Sequence, residues 1–219
     1  MSFLIRPYQS QDCKAILEII NDSILNTFFN YDYHVKTHEE VSQNFDQKLN
    51  DNIPILVGEM NGKVVGYATY GKFRAKPGYD RTIEHSIYLD HSAQGKGLGT
   101  AMLRQLIYLA KDQGYHVMIA GMDSENHGSY RFHERLGFKE VARLPEVSFK
   151  FDKWLTLVFM QLNLENLGSD TIKNYSSHLI HLGRLMSDMG LIQRTFMGFS
   201  LNRTIACGRL HFCKALGPI

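Results

Sequence analysis

The order of apolar and polar residues in the first part of the chain predicts a strand followed by two helices. A short strand at 3–6 precedes apolar residues at helical spacing, which predict an amphipathic helix over 11–25. A second helix is predicted over 37–49, because Thr37 precedes Glu40 by three residues as in a capping box.

After these helices the pattern changes to an alternation of period two. Two strands within 53–73 are predicted to form a hairpin at Asn61-Gly62, because both residues tolerate a positive φ angle. Another strand is predicted at 81–89, and a glycine-rich loop then leads into a long helix over 97–113.

The rest of the regular pattern completes one domain, predicted at 1–164. A strand at 116–122, a short helix at 129–136 and two strands within 138–164 follow the long helix. This order predicts an α/β (α+β) fold, a mixed central sheet of about seven strands with helices on both faces. Residues 165–219 show no clear period apart from one apolar helical stripe, and we expect a weakly ordered C-terminal extension.

Composition and charge narrow the class of protein. With 44% hydrophobic and 21% charged residues in 219, the chain is typical of an ordinary globular protein with one core. A net charge of +2 from scattered basic residues predicts no nucleic-acid or membrane partner. Because no leader or long apolar run is evident, we expect a cytoplasmic protein. Cys13, Cys207 and Cys213 lack metal-site spacing, so no metal is predicted.

The glycine-rich loop is the first candidate for chemistry. Gly95, Gly97 and Gly99 stand at every second position between a strand and a helix, where bare backbone N–H groups meet the positive end of a helix dipole. Such a site suits an anion, for example a pyrophosphate. A dinucleotide motif would need glycine in place of Thr100, and a Walker loop would need Ser or Thr in place of Gly97.

The loop 94–99 resembles the acetyl-CoA pyrophosphate loop of the GCN5-related N-acetyltransferases (GNAT), and 124–141 resembles the second signature of that family. From about 5 to 164, the chain is similar to the branch of phosphinothricin and methionine sulfoximine acetyltransferases, in segments such as "GYDRTIEHSIYL" and "HVMIAGMDSEN". The resemblance implies a GNAT fold, acetyl-CoA as co-substrate, the α-amine of a small amino acid as acceptor, and a homodimer.

N-acetyl transfer needs a base, because the amine must be neutral to attack a thioester. The resemblance implies that Glu84, in the strand before the glycine loop, is this base, directly or through a water molecule. It places His133 where many members of the superfamily have a tyrosine that protonates the departing thiolate. For His133 the roles of acid, second base, substrate contact and packing residue all stay open.

The resemblance also assigns two binding sets. The cofactor set comprises Ile87, Tyr88, Leu89, Gln94, Gly95, Lys96, Gly97, Leu98, Gly99, Thr100, Asn126 and Ser129. The acceptor set comprises Phe73, Arg74, Tyr79, His85 and Ser86, with Arg74 expected to hold the carboxylate. Phe28, Phe29 and Tyr31 add aromatic bulk over the acceptor, which favours a smaller or flatter head group.

Two alternatives remain beside this hypothesis. The acceptor could be a polyamine, an aminoglycoside or a protein N-terminus, although a cationic acceptor needs an acidic cleft and the loop at Arg74 and Arg81 is basic. The chain could also bind acyl-CoA without turnover. That second alternative predicts loss of the acid and the base, whereas Glu84 and His133 are both present.

Overall fold

The computed structural model describes residues 2–165 and 167. It contains a seven-stranded sheet in the order β1-β2-β3-β4-β5-β7-β6, in which β4 and β5 are parallel and every other neighbouring pair is antiparallel. This confirms the predicted mixed sheet. The strands are β1 Leu4–Pro7, β2 Ile55–Met60, β3 Lys63–Lys72, β4 Thr82–Leu89, β5 Val117–Asp123, β6 Lys139–Lys150 and β7 Lys153–Asn163.

Helices cover both faces of the sheet, as predicted. They are α1 Cys13–Asn26, α2 His38–Asn50, α3 Leu98–Asp112 and α4 His127–Arg135. One core cluster joins α3 to the sheet through residues such as Leu106, Ile83 and Met118. A second cluster joins α1 and α2 to the opposite face, through residues such as Ile16 and Phe45.

Local sequence signals account for several element boundaries. The Thr37 side chain accepts from the backbone N–H of Glu40, and the Glu40 carboxylate accepts from the N–H of Thr37, which forms the predicted capping box. At the β2–β3 turn, φ is 51° at Asn61 and 74° at Gly62, as the predicted hairpin requires. These contacts fix α2 and the hairpin without help from distant residues.

Strand β4 lies in the middle of the sheet and presents alternate side chains to the two helical layers. Ile83 is buried in the cluster that contains α3, whereas Tyr88 packs against the cluster of α1 and α2. Because side chains alternate along a strand, His85 lies on the α3 side, and Glu84 lies on the α1 side.

Two residues just beyond the predicted boundary at 164 contact the domain. Glu165 Oε1 lies 3.0 Å from His116 Nδ1, and the carbonyl oxygen of Leu167 accepts from Lys111 Nζ at 3.1 Å. Most of the predicted extension, with its apolar stripe at 179–189, Cys207 and Cys213, lies outside the described residues. Within the described part of the chain, no helix is long and apolar enough to cross a membrane.

Candidate active site

A gap opens between the two parallel strands at the centre of the sheet. β4 pairs with β5 only over Thr82–Glu84, opposite Val117–Ile119, although β4 continues to Leu89 and pairs with β3 as far as that residue. Beyond Glu84 the β5 side of β4 therefore presents backbone N–H and C=O groups that no strand of the described chain pairs. An extended, amide-containing molecule can add to such an edge by strand-like hydrogen bonds.

The glycine loop lies at the open end of this gap. φ is +71° at Gly95 and +84° at Gly97, and Gly97 precedes α3 without any side-chain cap. A Cβ atom at either glycine would meet no atom of the protein within 4 Å. The positive φ angles and the open space above them, rather than protein packing, therefore account for these two glycines.

Glycine is needed at position 99 for a different reason, which is close packing. A Cβ atom there would lie 3.0 Å from Leu89 Cδ1, so glycine lets the first turn of α3 approach the end of β4. The adjacent Leu98 side chain is fully buried in the core, so Leu98 offers an incoming anion only its backbone. Lys96 is exposed on the loop.

A cleft of about 570 Å³ runs from this loop towards the start of α4. At that start, Asn126 Oδ1 accepts from the backbone N–H of Ser129 at 3.0 Å, so Asn126 caps the helix as its residue type favours. The cleft brings together most of the predicted cofactor set, namely Ile87, Leu89, Gln94, Gly95, Gly97, Gly99, Thr100, Asn126 and Ser129.

A second cleft, of about 430 Å³, shares Phe29, Ile87 and Ser129 with the first and contains Glu84, Ser86 and Tyr88. The Glu84 carboxylate lies over the bare backbone of Gly121 in β5, because a Cβ atom there would stand 2.8 Å from Glu84 Oε1. Burial raises the pKa of Glu84, and the positive charge of Arg74 partly opposes this shift. A carboxylate with a raised pKa is a stronger proton acceptor.

His85 and His133 form a hydrogen-bonded pair in the wall behind this cleft. Their Nε2 atoms are 3.1 Å apart, and His133 Nδ1 lies 2.8 Å from the Ser129 carbonyl oxygen. Because a carbonyl only accepts, the proton of neutral His133 is assigned to Nδ1, and His85 Nε2 donates to His133 Nε2. Burial lowers the pKa of His133 to about 4 and that of His85 well below its ordinary value, so both rings are neutral at pH 7.

This pairing narrows the roles left open for His133. Both ring nitrogens are engaged, and the side chain is 3% exposed. The Ser129 hydroxyl lies 3.3 Å from His133 Nδ1. Ser129 lines both clefts, whereas His133 lines only the second. His85, predicted to contact the acceptor, also lines the second cleft, although it is only 7% exposed and its Nε2 atom is bonded to His133. Its contact with the acceptor stays a prediction.

The other predicted acceptor residues form a cluster beside Glu84. The Arg74 guanidinium stacks over the Phe73 ring at 4.3 Å, and Phe73 contacts Tyr79 and Phe159 edge to face. Arg74 and Tyr79 are exposed. Ser86 differs from this cluster, because it borders the second cleft directly.

Residues 27–34, here called the roof segment, follow α1 and border the second cleft at Thr27 and Phe29. Of the predicted aromatic residues, Phe29 lines both clefts, and the Tyr31 hydroxyl donates to Asp123 Oδ2 at 3.0 Å. Sequence reasoning missed Asp123 and Gly121, which meet Tyr31 and Glu84 respectively. For Gly121 a signal existed, since glycine inside a strand often marks a close approach.

The chain is similar to known acetyltransferases in sequence and in fold. Residues 18–138 match the model of the acetyltransferase (GNAT) family. The chain is 42% identical over 161 residues to L-amino acid N-acyltransferase MnaT of Escherichia coli K12, covering 74% of this chain and 94% of that protein. It is 43% identical over 162 residues to an L-methionine sulfoximine/L-methionine sulfone acetyltransferase of Salmonella typhimurium, covering 74% and 94%. A crystal structure of phosphinothricin acetyltransferase from Sinorhizobium meliloti in complex with acetyl-CoA matches with a TM-score of 0.72 at 31% identity, covering 74% and 89%.

Proposed function

This chain belongs to the acetyltransferase (GNAT) family, and we propose that it transfers the acetyl group of acetyl-CoA to the α-amine of a small amino acid or analogue. Acceptors of the phosphinothricin, methionine sulfoximine and methionine sulfone type are the best candidates, because relatives that are 31–43% identical carry these names. The resemblance found in the sequence is thereby confirmed at the level of family and activity.

One observation carries the proposal: the gap has the glycine loop at its open end and Glu84 at its closed end. Leu89 follows Glu84 by five positions along β4, which is about 17 Å at the rise of a strand. An anion at the loop and a reacting group at Glu84 must therefore be joined by a long, extended arm. The phosphopantetheine arm of acetyl-CoA is such a group, and its amides suit the open edge at Ile87, Tyr88 and Leu89.

Each group at the gap is assigned a separate role in the reaction. Glu84 accepts the proton of the acceptor's ammonium, directly or through a water molecule, and the edge of β4 supplies a backbone N–H to the oxyanion. The Ser129 hydroxyl stabilises the departing sulfur by a hydrogen bond, and His133 orients that serine from behind. Arg74, beside Glu84, attracts the carboxylate of the acceptor.

The acceptor class is tested by a screen of thiol release from acetyl-CoA. We expect turnover with methionine sulfoximine, methionine sulfone or phosphinothricin, or with a common amino acid. Spermidine, an aminoglycoside and a peptide with a free N-terminus serve as comparison acceptors. Turnover only with one of the comparison acceptors would overturn the acceptor class, and binding of acetyl-CoA without turnover of any acceptor would favour a binding module.

The organisation of the chain completes the proposal. We propose a catalytic domain at 1–164, to which the contacts of Glu165 and Leu167 are added, with residues 168–219 outside it. We also propose that the protein is cytoplasmic.

A homodimer is supported by apolar side chains exposed along the edge strand β6 and its hairpin, among them Val141, Val147 and Trp154.

Pro145 and the positive φ of Glu146 interrupt the edge of β6, so a second copy would pack on these side chains rather than extend the sheet. Light scattering tests the assembly: we expect the parent at twice the chain mass and Val147→Lys at a lower mass. A parent protein that stays monomeric at high concentration would exclude the dimer.

A further inference from the structure

Lys150, at the end of β6, is a buried lysine with three backbone acceptors. Its side chain is only 2% exposed. Its ammonium donates to the carbonyl oxygens of Ile24 at 2.7 Å, Thr27 at 2.9 Å and Asn30 at 2.6 Å. An ammonium has three N–H donors, so every donor of Lys150 is used.

The three carbonyls belong to one short stretch of chain. Ile24 lies in the last turn of α1, where the helix dipole is negative and carbonyls lack helical partners, so a positive charge is favourable. Thr27 and Asn30 lie in the roof segment that follows. The Lys150 ammonium thus binds the C-terminal end of α1 and also fixes the turn that connects α1 to the roof segment.

The same stretch forms one side of the acceptor cleft. Thr27, one of the three bonded residues, and Phe29, which precedes the bonded Asn30, line the cleft that contains Glu84. Asn30 Nδ2 lies 3.5 Å from the Tyr88 hydroxyl of β4. The Tyr33 hydroxyl donates to the carbonyl of Phe149, the neighbour of Lys150. The tip of the β6–β7 hairpin therefore holds the roof segment at two successive residues.

We propose that Lys150 is a positioning residue that sets the width of the acceptor cleft by holding Phe29 over Glu84. The inference deepens the proposed function, on which it rests, because it assigns control of acceptor fit to a residue outside the cleft. It requires an ammonium in particular. A neutral side chain cannot satisfy three carbonyls at one point, and the planar guanidinium of arginine spreads its donors in a fork.

The test compares Lys150→Met with Lys139→Met, an exposed lysine at the opposite end of the same strand. We expect Lys150→Met to raise KM for the acceptor about tenfold or more, the scale of a lost charged hydrogen bond. KM for acetyl-CoA should rise by a smaller factor than KM for the acceptor, because Phe29 is only one of the many residues that line the cofactor cleft. The value of kcat should stay within about twofold, because Lys150 donates its hydrogen bonds to the roof segment and the end of α1 rather than to Glu84. Lys139→Met should leave all three constants unchanged.

Hydrogen exchange gives a readout that needs no acceptor. Amides in 27–34 should exchange about tenfold faster in Lys150→Met than in Lys139→Met, while those of α3 exchange at the parental rate. A second variant, Tyr33→Phe, removes the other anchor at a side chain that is 59% exposed, so it leaves the core intact. It should raise the acceptor KM in the same direction by a smaller factor.

The outcomes separate this inference from the proposed function. Parental acceptor KM and parental exchange in 27–34 for Lys150→Met would overturn the role of Lys150 and leave the activity standing. A parent protein that acetylates no amino acid would overturn the proposed function, whereas the exchange experiment would still decide whether Lys150 holds the roof segment. If Lys150→Met does not fold, Tyr33→Phe with parental KM and exchange overturns the inference.

Discussion

The two ends of the gap between β4 and β5 are built in different ways. The glycine-loop end comes from one continuous stretch, 94–100, and offers backbone N–H groups at the start of α3. The acceptor end is assembled from residues far apart in sequence, with the side chains of Phe29 before β2 and Glu84 on β4, and the bare backbone of Gly121 on β5. Lys150 on β6 supports this end from outside.

This difference determines how each end responds to change. A site made of backbone is altered by substitutions that change φ or fill space, and hardly by removal of a side chain. A site made of side chains depends on single groups and on the contacts that aim them. Substitutions at the two ends should therefore separate cofactor binding from turnover.

The largest effect is expected at Glu84. Glu84→Gln removes the proton acceptor and should lower kcat by roughly 10²- to 10⁴-fold, with acetyl-CoA affinity unchanged. Raising the pH should restore part of the rate, because more of the amine is then already neutral. Steady-state kinetics between pH 7 and about pH 9.5 measure both effects. Parental kcat at neutral pH would remove Glu84 from the role of base.

The corresponding test of the glycine-loop end is the substitution Gly97→Val. The new side chain occupies the space above the loop and should weaken acetyl-CoA binding about 10- to 100-fold. Gly62→Val is the control, because Gly62 also has a positive φ and open space around it but lies in the β2–β3 hairpin. Calorimetric titration of both variants distinguishes a lost site from backbone strain. Equal affinities would refute the assignment of the loop.

A smaller effect is expected from Gly121→Ala. The added Cβ atom would lie 2.8 Å from Glu84 Oε1, so the carboxylate must move away, and kcat should fall about tenfold. Acetyl-CoA affinity should not change. In a double-mutant cycle, Gly121→Ala should have little further effect on Glu84→Gln. Additive losses would show that Gly121 acts on something other than the base.

The ionised form of the buried Glu84 should also lower the free energy of unfolding at neutral pH. Because burial raises its pKa in the folded protein, the folded state holds the proton to higher pH than the unfolded state does. The contribution of Glu84 to the free energy of unfolding is therefore greatest below its unfolded pKa of about 4.3. This contribution is lost as the pH rises through the higher pKa of the folded state. We expect Glu84→Gln to have a higher Tm than the parent at pH 7.5 and a similar Tm near pH 4. Thermal melts at both pH values check this.

The smallest effect should come from removing residues 169–219. The contacts of Glu165 and Leu167 remain in this truncation, so kcat and both KM values should stay within about twofold of the parent. Comparison with a truncation after Glu165 shows what Leu167 contributes. An inactive or insoluble chain ending at 168 would place part of the last 51 residues in the catalytic domain.

Local signals in the sequence determined the parts of this protein that depend on few neighbours. The Thr37–Glu40 cap, the Asn61-Gly62 hairpin and the glycine loop all follow from residues within a few positions of one another. The family motifs added acetyl-CoA and the acceptor class, and placed Glu84 in the strand before the loop. Such features were predictable because backbone geometry at these positions is set by residue type.

Only the tertiary structure decided which side chains meet. His85 stands next to Glu84 in sequence but on the opposite face of β4, where it bonds His133. Lys150 gives no local signal, because its three acceptors lie 120 to 126 residues away in the chain. Hydrogen bonds and burial over such separations depend on how the whole sheet is ordered, and that order is a property of the packed layers rather than of any segment.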